Sequence, residues 1–375
     1  MTGGLYLHLP FCGSICSYCH FARTARHDAE LRRRAVQALI REFDLRRRAC
    51  AALQQHHHEL ATIYIGGGTP SLVEPDLFQR LVARTIDRLP RAEGTEFTVE
   101  ANPESFTDDV AGAWLDAGVG RVSLGVQSLD DGVLRLLGRR CDPATARAAL
   151  DRACRRFGRV SADWILGPGL DGSRLRAELS EAVAAGVEHI SLYILELHQG
   201  TDLARRVASG DLILPPDHET EALYLRCVDH LAGLGLAQYE VSNFARPGAE
   251  SRHNRAYWQG RPYLGLGPSA SGFWGRRRYT NEPDLGRYLA RVEAGEIPEG
   301  DVDPLDRTAR RLESVLLPLR TATGVPLDRL PEGALDLARG EGEGLWSVVN
   351  GRLVLSPRGF LRIDTLEERL ARGLG

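Results

Sequence analysis

A partial (β/α)6 barrel of the TIM type followed by a small α+β, winged-helix-like module is the fold the sequence predicts. Two observations carry it. Short apolar strands alternate with amphipathic helical stretches over the first two thirds of the chain, and such alternation means parallel strands joined by helical crossovers. Beyond about residue 300 the pattern changes to one helix and two short strands around an Asn350-Gly351 turn. With about six β/α units before Leu236, a site belongs at the carboxyl ends of the strands.

The first element, Leu5-Tyr6-Leu7-His8-Leu9-Pro10, runs into Phe11 and then Cys12, Cys16 and Cys19. Residues 28–58 read as a long Arg- and Ala-rich helix, and residues 61–65 as a strand stopped by Gly66-Gly67-Gly68-Thr69-Pro70. Further strands are expected at 96–100, 121–125, 160–165 and 189–193, with helices at 75–89, 107–117, 143–157 and 173–185. Residues 237–245 close the barrel region, and a Gly-, Tyr- and Trp-rich stretch follows to about Thr280. A helix at 305–319, a turn at 324–327 and strands at 345–348 and 353–355 complete the chain. The division read from this is 1–240 core, 241–300 extension and 301–375 C-terminal module, the last a packing or partner module because it offers no basic recognition helix.

Composition narrows the chemistry. The 375 residues are 43% hydrophobic and 26% charged with a net charge of −3, values of an ordinary globular protein with no global pull toward nucleic acid. The sequence contains no lysine, so its 47 basic residues are all arginine. Schiff-base catalysis, pyridoxal-phosphate anchoring and a P-loop lysine are therefore excluded. Unpaired cysteines, the absence of a signal peptide and of any long apolar run point to a reducing cytoplasm.

Cys12, Cys16 and Cys19 stand at C-x3-C-x2-C spacing. Three thiolates on one loop suit three irons of a [4Fe-4S] cluster and leave the fourth iron open to chelate the amino and carboxylate groups of S-adenosylmethionine (SAM). A zinc loop or buried thiols are the alternatives, but zinc pairs normally recur downstream. Cys50, Cys141, Cys154 and Cys227 are scattered singly and read as small buried apolar residues. The glycine run after the second strand, Glu100, Gln127 and Asp163 fall at or near strand ends. The glycines allow close backbone approach or a positive-φ turn, and Glu100 faces a ligand or caps a helix. His253-Asn254-Arg255-Ala256-Tyr257-Trp258 places an imidazole beside aromatic rings, suited to axial ligation of haem iron or to plain packing. Arg252 and Arg255 are candidate partners for haem propionates, with His8, His198 and Cys227 as alternative iron ligands.

These stretches, together with Val99-Glu100-Ala101-Asn102-Pro103-Glu104 and Ser123-Leu124-Gly125-Val126-Gln127-Ser128, resemble the oxygen-independent coproporphyrinogen oxidase branch of the radical SAM proteins over nearly the whole chain. Within it the HNxxYW pattern is similar to that of the HemW-type haem chaperones. The resemblance implies cluster ligation by Cys12, Cys16 and Cys19, and SAM contacts from Tyr6, Tyr18, Gly67, Gly68, Thr69, Glu100, Gln127, Arg139 and Asp163. It also implies haem binding, haem-accepting respiratory membrane proteins, an electron donor of the flavodoxin or ferredoxin type, and no nucleic-acid partner. A cytoplasmic location, peripheral at the inner face of the membrane, goes with it, and a homodimer stays open. Phe21 replaces the fourth cysteine of true coproporphyrinogen dehydrogenases and only eleven residues precede Cys12, so chaperone rather than radical decarboxylase is the expectation. Cys141 in place of a His, a shortened 164–169 segment and Ser271 in place of a His depart from the family pattern.

Overall fold

Six parallel strands follow one another in chain order, as the alternation predicts: β1 (Thr2–Leu9), β2 (Glu59–Gly67), β3 (Arg91–Ala101), β4 (Arg121–Gln127), β5 (Arg159–Leu166) and β6 (His189–Ile194). The structure is a computed structural model that describes residues 2–49, 59–275, 277–330 and 344–372. Strands buried on both faces read as continuous apolar runs, and β4 is buried at every position from Arg121 to Val126. The crossovers between β1 and β6 are α1 (Ala29–Ala49), α2 (Pro75–Arg84), α3 (Asp108–Asp116), α4 (Asp131–Leu136), α5 (Pro143–Arg156) and α6 (Gly172–Ala184). Short polar side chains start them: Asp28, Thr107, Asp130, Asp142 and Asp171 each accept a backbone N–H of the first turn. The stretch predicted as one helix over 28–58 is helical through Ala49, and its remainder, with Cys50, lies outside the described residues.

The sheet does not stop at the barrel. On one edge β7 (Ala237–Gln238) and β8 (Asn243–Ala245) add antiparallel to β6, where residues 237–245 were expected to close it. On the other edge β9 (Tyr263–Leu266) lies parallel to β1, and β10 (Ser271–Trp274), β11 (Arg277–Asn281) and β12 (Glu299–Pro304) continue outward, giving twelve strands. These strands are glycine-interrupted, which hides them from periodicity. Gly265 is required because a Cβ there would stand 1.8 Å from the Ser271 carbonyl oxygen, and one at Gly272 would enter the Tyr279 ring.

The C-terminal module has its own core, built on Val315, Leu319, Val325, Leu353, Leu355 and Phe360. Its separate sheet pairs β13 (Val325–Pro326) and β14 (Trp346–Val349) with β15 (Arg352–Leu355). Asn350 and Gly351, at φ 49° and 72°, make the predicted hairpin turn.

One buried polar group bolts the β9–β12 extension to the barrel. Glu42 on α1 accepts from Arg46 (2.8 Å), Asn281 (2.8 Å), Tyr288 (2.8 Å) and the Gly267 backbone N–H (2.8 Å), while Arg46 also reaches Glu299 and Asn281. Glu42 is wholly buried. Removing one member leaves uncompensated charge in the interior, so Glu42→Ala is expected to cost ~3–5 kcal/mol, read as a lowered midpoint in chemical denaturation, and Glu42→Gln less.

Candidate functional site

The cysteine loop is held at both ends. Where β1 stops, Thr24 N–H donates to Pro10 O (2.7 Å) and Cys12 N–H to Thr24 O (3.0 Å). In the middle, Ser17 donates through its N–H to Leu137 O (3.0 Å) and through its hydroxyl to Leu136 O (3.1 Å), while Tyr18 packs against the Val133, Leu137 and Ile165 cluster. Burial pushes the Cys12 thiol up to about 11, opposed by a hydrogen bond with Thr69 and reinforced by Cys19 and Cys16. Cys19 is likewise raised by burial. Among the described residues no three His, Cys, Asp or Glu side chains converge at single-ion spacing, as a closed zinc site would require. A four-iron cluster makes no such demand, because each thiolate binds a different iron.

The strand ends gather most of the other predicted residues. Glu100 accepts from Tyr64 Oη (2.6 Å) and from the Gly67 N–H (3.1 Å), and burial raises its pKa against both bonds. Burial, with Glu100 as an added charge, pushes Asp163 up to about 7 although Ser123 donates to it (3.4 Å). Arg139 donates to Asn102 Oδ1 (3.1 Å) and Gly125 O (2.6 Å) and reaches Cys16 Sγ (3.7 Å). Asn102 in turn donates to Thr69 Oγ1 (3.1 Å). Gln127 closes β4 in the left-handed region at φ 69°, with its Oε1 buried and unpartnered. Arg139 Nε is a second buried polar atom without a partner. Asn102 and Tyr64 belong to this group as much as the residues picked from the sequence. Their placement on the same strand ends was the signal.

The glycine run serves chain packing. A Cβ at Gly68 would meet Phe11 O at 2.6 Å, one at Gly67 (φ +110°) the His8 ring at 2.6 Å, and one at Gly66 Glu100 Oε2 at 2.7 Å. The glycines therefore let β2 close on β1 and on Glu100, and Gly67 takes the positive φ that is one of the two readings of the run.

Beside the cysteine loop opens a cavity of about 370 Å3, walled by Tyr6, His20, Phe21, Tyr257, Tyr263 and Ser271. His253 lies beneath it, buried, with Nδ1 bonded to Thr62 Oγ1 (2.9 Å) and Nε2 to Tyr257 Oη (2.8 Å). Its backbone N–H donates to Glu96 (3.0 Å), its ring stacks on Tyr64, and burial lowers its pKa to about 3. In this conformation both nitrogens are engaged, and the ring braces Tyr257 on the cavity wall, which is the packing reading of the motif. Arg252 and Arg255 line a different cavity with Gly3, Gly4 and Ala61, at the amino ends of the strands, and are not placed to meet propionates here. Trp258 is no part of the wall either, since its Nε1 donates to the buried Glu240 (3.0 Å). His8 has both nitrogens engaged, and Cys227 is buried inside the core.

The Radical SAM superfamily profile matches residues 6–182. The heme chaperone HemW of Mycobacterium tuberculosis is 37% identical over 374 residues, 98% of this chain and 94% of that protein. That of Lactococcus lactis is 31% identical over 94% of this chain and 91% of that protein. The chain belongs to the HemW family of radical SAM proteins. A mitochondrial radical S-adenosyl methionine domain-containing protein 1 from Bos taurus is 35% identical over 87% of this chain and 70% of its own length. The Escherichia coli coproporphyrinogen III oxidase HemN shares the fold, with a TM-score of 0.81 at 20% identity over 100% of this chain and 89% of that one.

The superfamily implies a [4Fe-4S] cluster and SAM, and the HemW-family site fits both. The loop offers three thiols, and two unpartnered polar atoms, Gln127 Oε1 and Arg139 Nε, stand among the strand-end residues. Of the departures from the family pattern, Cys141 is buried, Trp164 donates to Glu178 (3.1 Å) inside the core, and Ser271 Oγ pairs with Thr280 (3.0 Å) at the cavity.

Because Gly68 abuts the Phe11 backbone, Gly68→Val is expected to displace the cysteine loop and cut iron retained after anaerobic reconstitution. His253→Ala is expected to leave iron content unchanged and to cost ~1–3 kcal/mol, the penalty for leaving Thr62 and Tyr257 unpaired. Iron analysis and thermal melting check the two together.

Proposed function

We propose that this chain binds a [4Fe-4S] cluster through Cys12, Cys16 and Cys19, binds SAM across the strand ends and haem in the adjacent cavity, and hands haem to respiratory membrane proteins without coproporphyrinogen dehydrogenase activity. The observation that carries the reading is an open, aromatic-walled cavity contiguous with a three-thiol loop, with Phe21 rather than a fourth thiol on its rim. When bound, the cluster supplies an open iron and an electron for SAM. The protein's share is electrostatic and positional. Arg139 lies against Cys16, where it donates to the sulfur that would ligate the cluster. Tyr6, Tyr18, Gly67, Gly68 and Thr69 frame the approach, while Glu100 and Asp163 offer carboxyls to a ligand carrying ammonium and sulfonium charge. Gln127 and Asn102 supply uncharged partners. Tyr257 and Tyr263 give a planar cargo an aromatic face.

No helix among the described residues is long and apolar enough to cross a membrane, so transfer to membrane acceptors would proceed from a peripheral position. A flavodoxin or ferredoxin is the class of electron donor that fits, the working compartment is the cytoplasm, and neither nucleic acid nor a defined oligomer enters the reading. The core at 1–240 would hold cluster and SAM, the 241–300 extension the cavity wall, and 301–375 the partner contact.

The decisive experiment is anaerobic reconstitution followed by parallel assays of iron content, haem binding and coproporphyrinogen III decarboxylation. About four irons per chain, lost in Cys16→Ala and kept in Cys154→Ala, with haem bound and no decarboxylation, is the expected outcome. Decarboxylation well above background would replace the chaperone reading with the dehydrogenase one. SAM binding also has an expected pH dependence. Asp163 titrates at about 7 in the empty site and Glu100 is raised, so below that pH a cationic ligand must displace protons. Affinity should climb as pH rises toward 7, by up to about tenfold per unit for one coupled proton, and then level off. Calorimetry on Asp163→Asn should show a flatter profile.

A further inference from the structure

With His253 committed to Thr62 and Tyr257, haem iron needs another ligand if the cavity takes haem, and the remaining described imidazoles can be sorted by what their nitrogens already do. His8 is held by Tyr6 (3.0 Å) and Ala22 O (2.8 Å), and His27 by Arg32 (2.8 Å) and Cys12 O (3.2 Å). His189 is held by Ser161 (2.6 Å) and Tyr239 (2.9 Å), and His230 by Ser180 (2.8 Å) and Arg176 O (3.0 Å). His218 lines another cavity, with Leu166 and Pro215. His8 and His20 both line the aromatic cavity, but His20 differs in its nitrogens and its exposure. It is exposed, its ring lines the aromatic cavity beside Phe21, and no hydrogen bond to its nitrogens occurs among the described residues.

Its ring is also positioned. His198, on the loop after β6, lies face to face with it at 3.5 Å between centroids and 31° between planes, while Phe21 flanks it at 4.7 Å. His198 is itself steadied by Glu196 (3.5 Å). His8 and His20 are the two imidazoles that line this cavity, and of the two only His20 has its nitrogens free of hydrogen bonds among the described residues.

We propose that His20 is the axial ligand of haem iron in this chain, with His198 as a positioning residue that holds its ring by stacking. The assignment rests on the haem-binding reading above and places the cargo iron one residue from the cluster ligand Cys19. It would not have emerged from the HNxxYW motif, because His20 lies inside the cysteine loop and is masked there by the stronger C-x3-C-x2-C signal.

The test is an anaerobic hemin titration of the reconstituted full chain, followed by Soret position, resonance Raman ligation state and iron content, for the parent, His20→Ala, His198→Ala and His253→Ala. His20→Ala is expected to lose the nitrogen-ligated spectrum and at least about tenfold in affinity, with cluster iron retained, and added imidazole to restore the parent Soret band. His198→Ala should keep the ligand type with weakened affinity, and His253→Ala the parent Soret band with a lower melting temperature. A parent spectrum and affinity in His20→Ala overturns the assignment, as does loss of ligation in His198→Ala or His253→Ala alone. If His20→Ala loses cluster iron as well, the imidazole rescue decides, and its failure overturns the assignment. A parent chain that binds no hemin refutes the haem-binding reading itself, which is a different result from all of these.

Discussion

The site depends on the close approach of two strand ends. Gly68 donates its N–H to Leu9 O (2.8 Å) and sits where a Cβ would strike the Phe11 backbone, while Gly67 leaves room for the His8 ring. That contact puts Thr69 beside Cys12 and brings the Gly67 N–H onto Glu100. Close packing makes the arrangement discrete, because neither backbone can yield by a few tenths of an ångström without moving a cysteine or a carboxylate.

A second set of contacts runs under the pocket from the amino ends of the strands to the cavity wall. Glu96 holds the backbone of His253, His253 joins Thr62 to Tyr257, and Tyr257 meets Tyr263 edge to face at 4.7 Å. Tyr64 lies on the same imidazole and passes its own hydroxyl to Glu100. The HNxxYW helix thus couples the cavity to the carboxylate that faces the cluster side. Burial disfavours the charged form of His253, Asp163 and Glu100, lowering the His253 pKa to about 3, pushing Asp163 up to about 7 and raising Glu100.

The barrel was legible in the sequence because its strands and crossovers have distinct periods, and the strands predicted at 61–65, 96–100, 121–125, 160–165 and 189–193 each lie within an observed one. The cysteine loop was legible because its spacing is local chemistry. The β9–β12 extension was not, since Gly265 and Gly272 interrupt the apolar pattern for the sake of contacts with Ser271 and Tyr279, residues whose proximity only the fold creates. His253 was placed in the right neighbourhood, and of its two readings, ligation and packing, the observed hydrogen bonds are those of packing. A motif reports that an imidazole and a tyrosine four residues on share a helix face, yet whether the ring nitrogens point at a ligand or at Thr62 depends on a strand about 190 residues earlier. His20 and Tyr64 went unremarked for the same reason, as neither carries a spacing of its own.

The position of β1 has a consequence for biogenesis. The strand that leads into the cysteine loop precedes β9 by some 260 residues in the chain, but in the sheet it lies between β2 and β9, and β9 ends at Leu266. Its middle, Gly4 to Leu7, is paired on one side by residues synthesised some 260 positions later. The emerging chain therefore shows its three thiols to the cell long before the scaffold that orients them is complete. Iron and sulfide delivered during translation would find a floppy tripeptide-like ligand set, open to oxidation and to stray metals. Loss of the chain from Tyr263 onward would take away β1's partner on that side while leaving the cysteine motif intact.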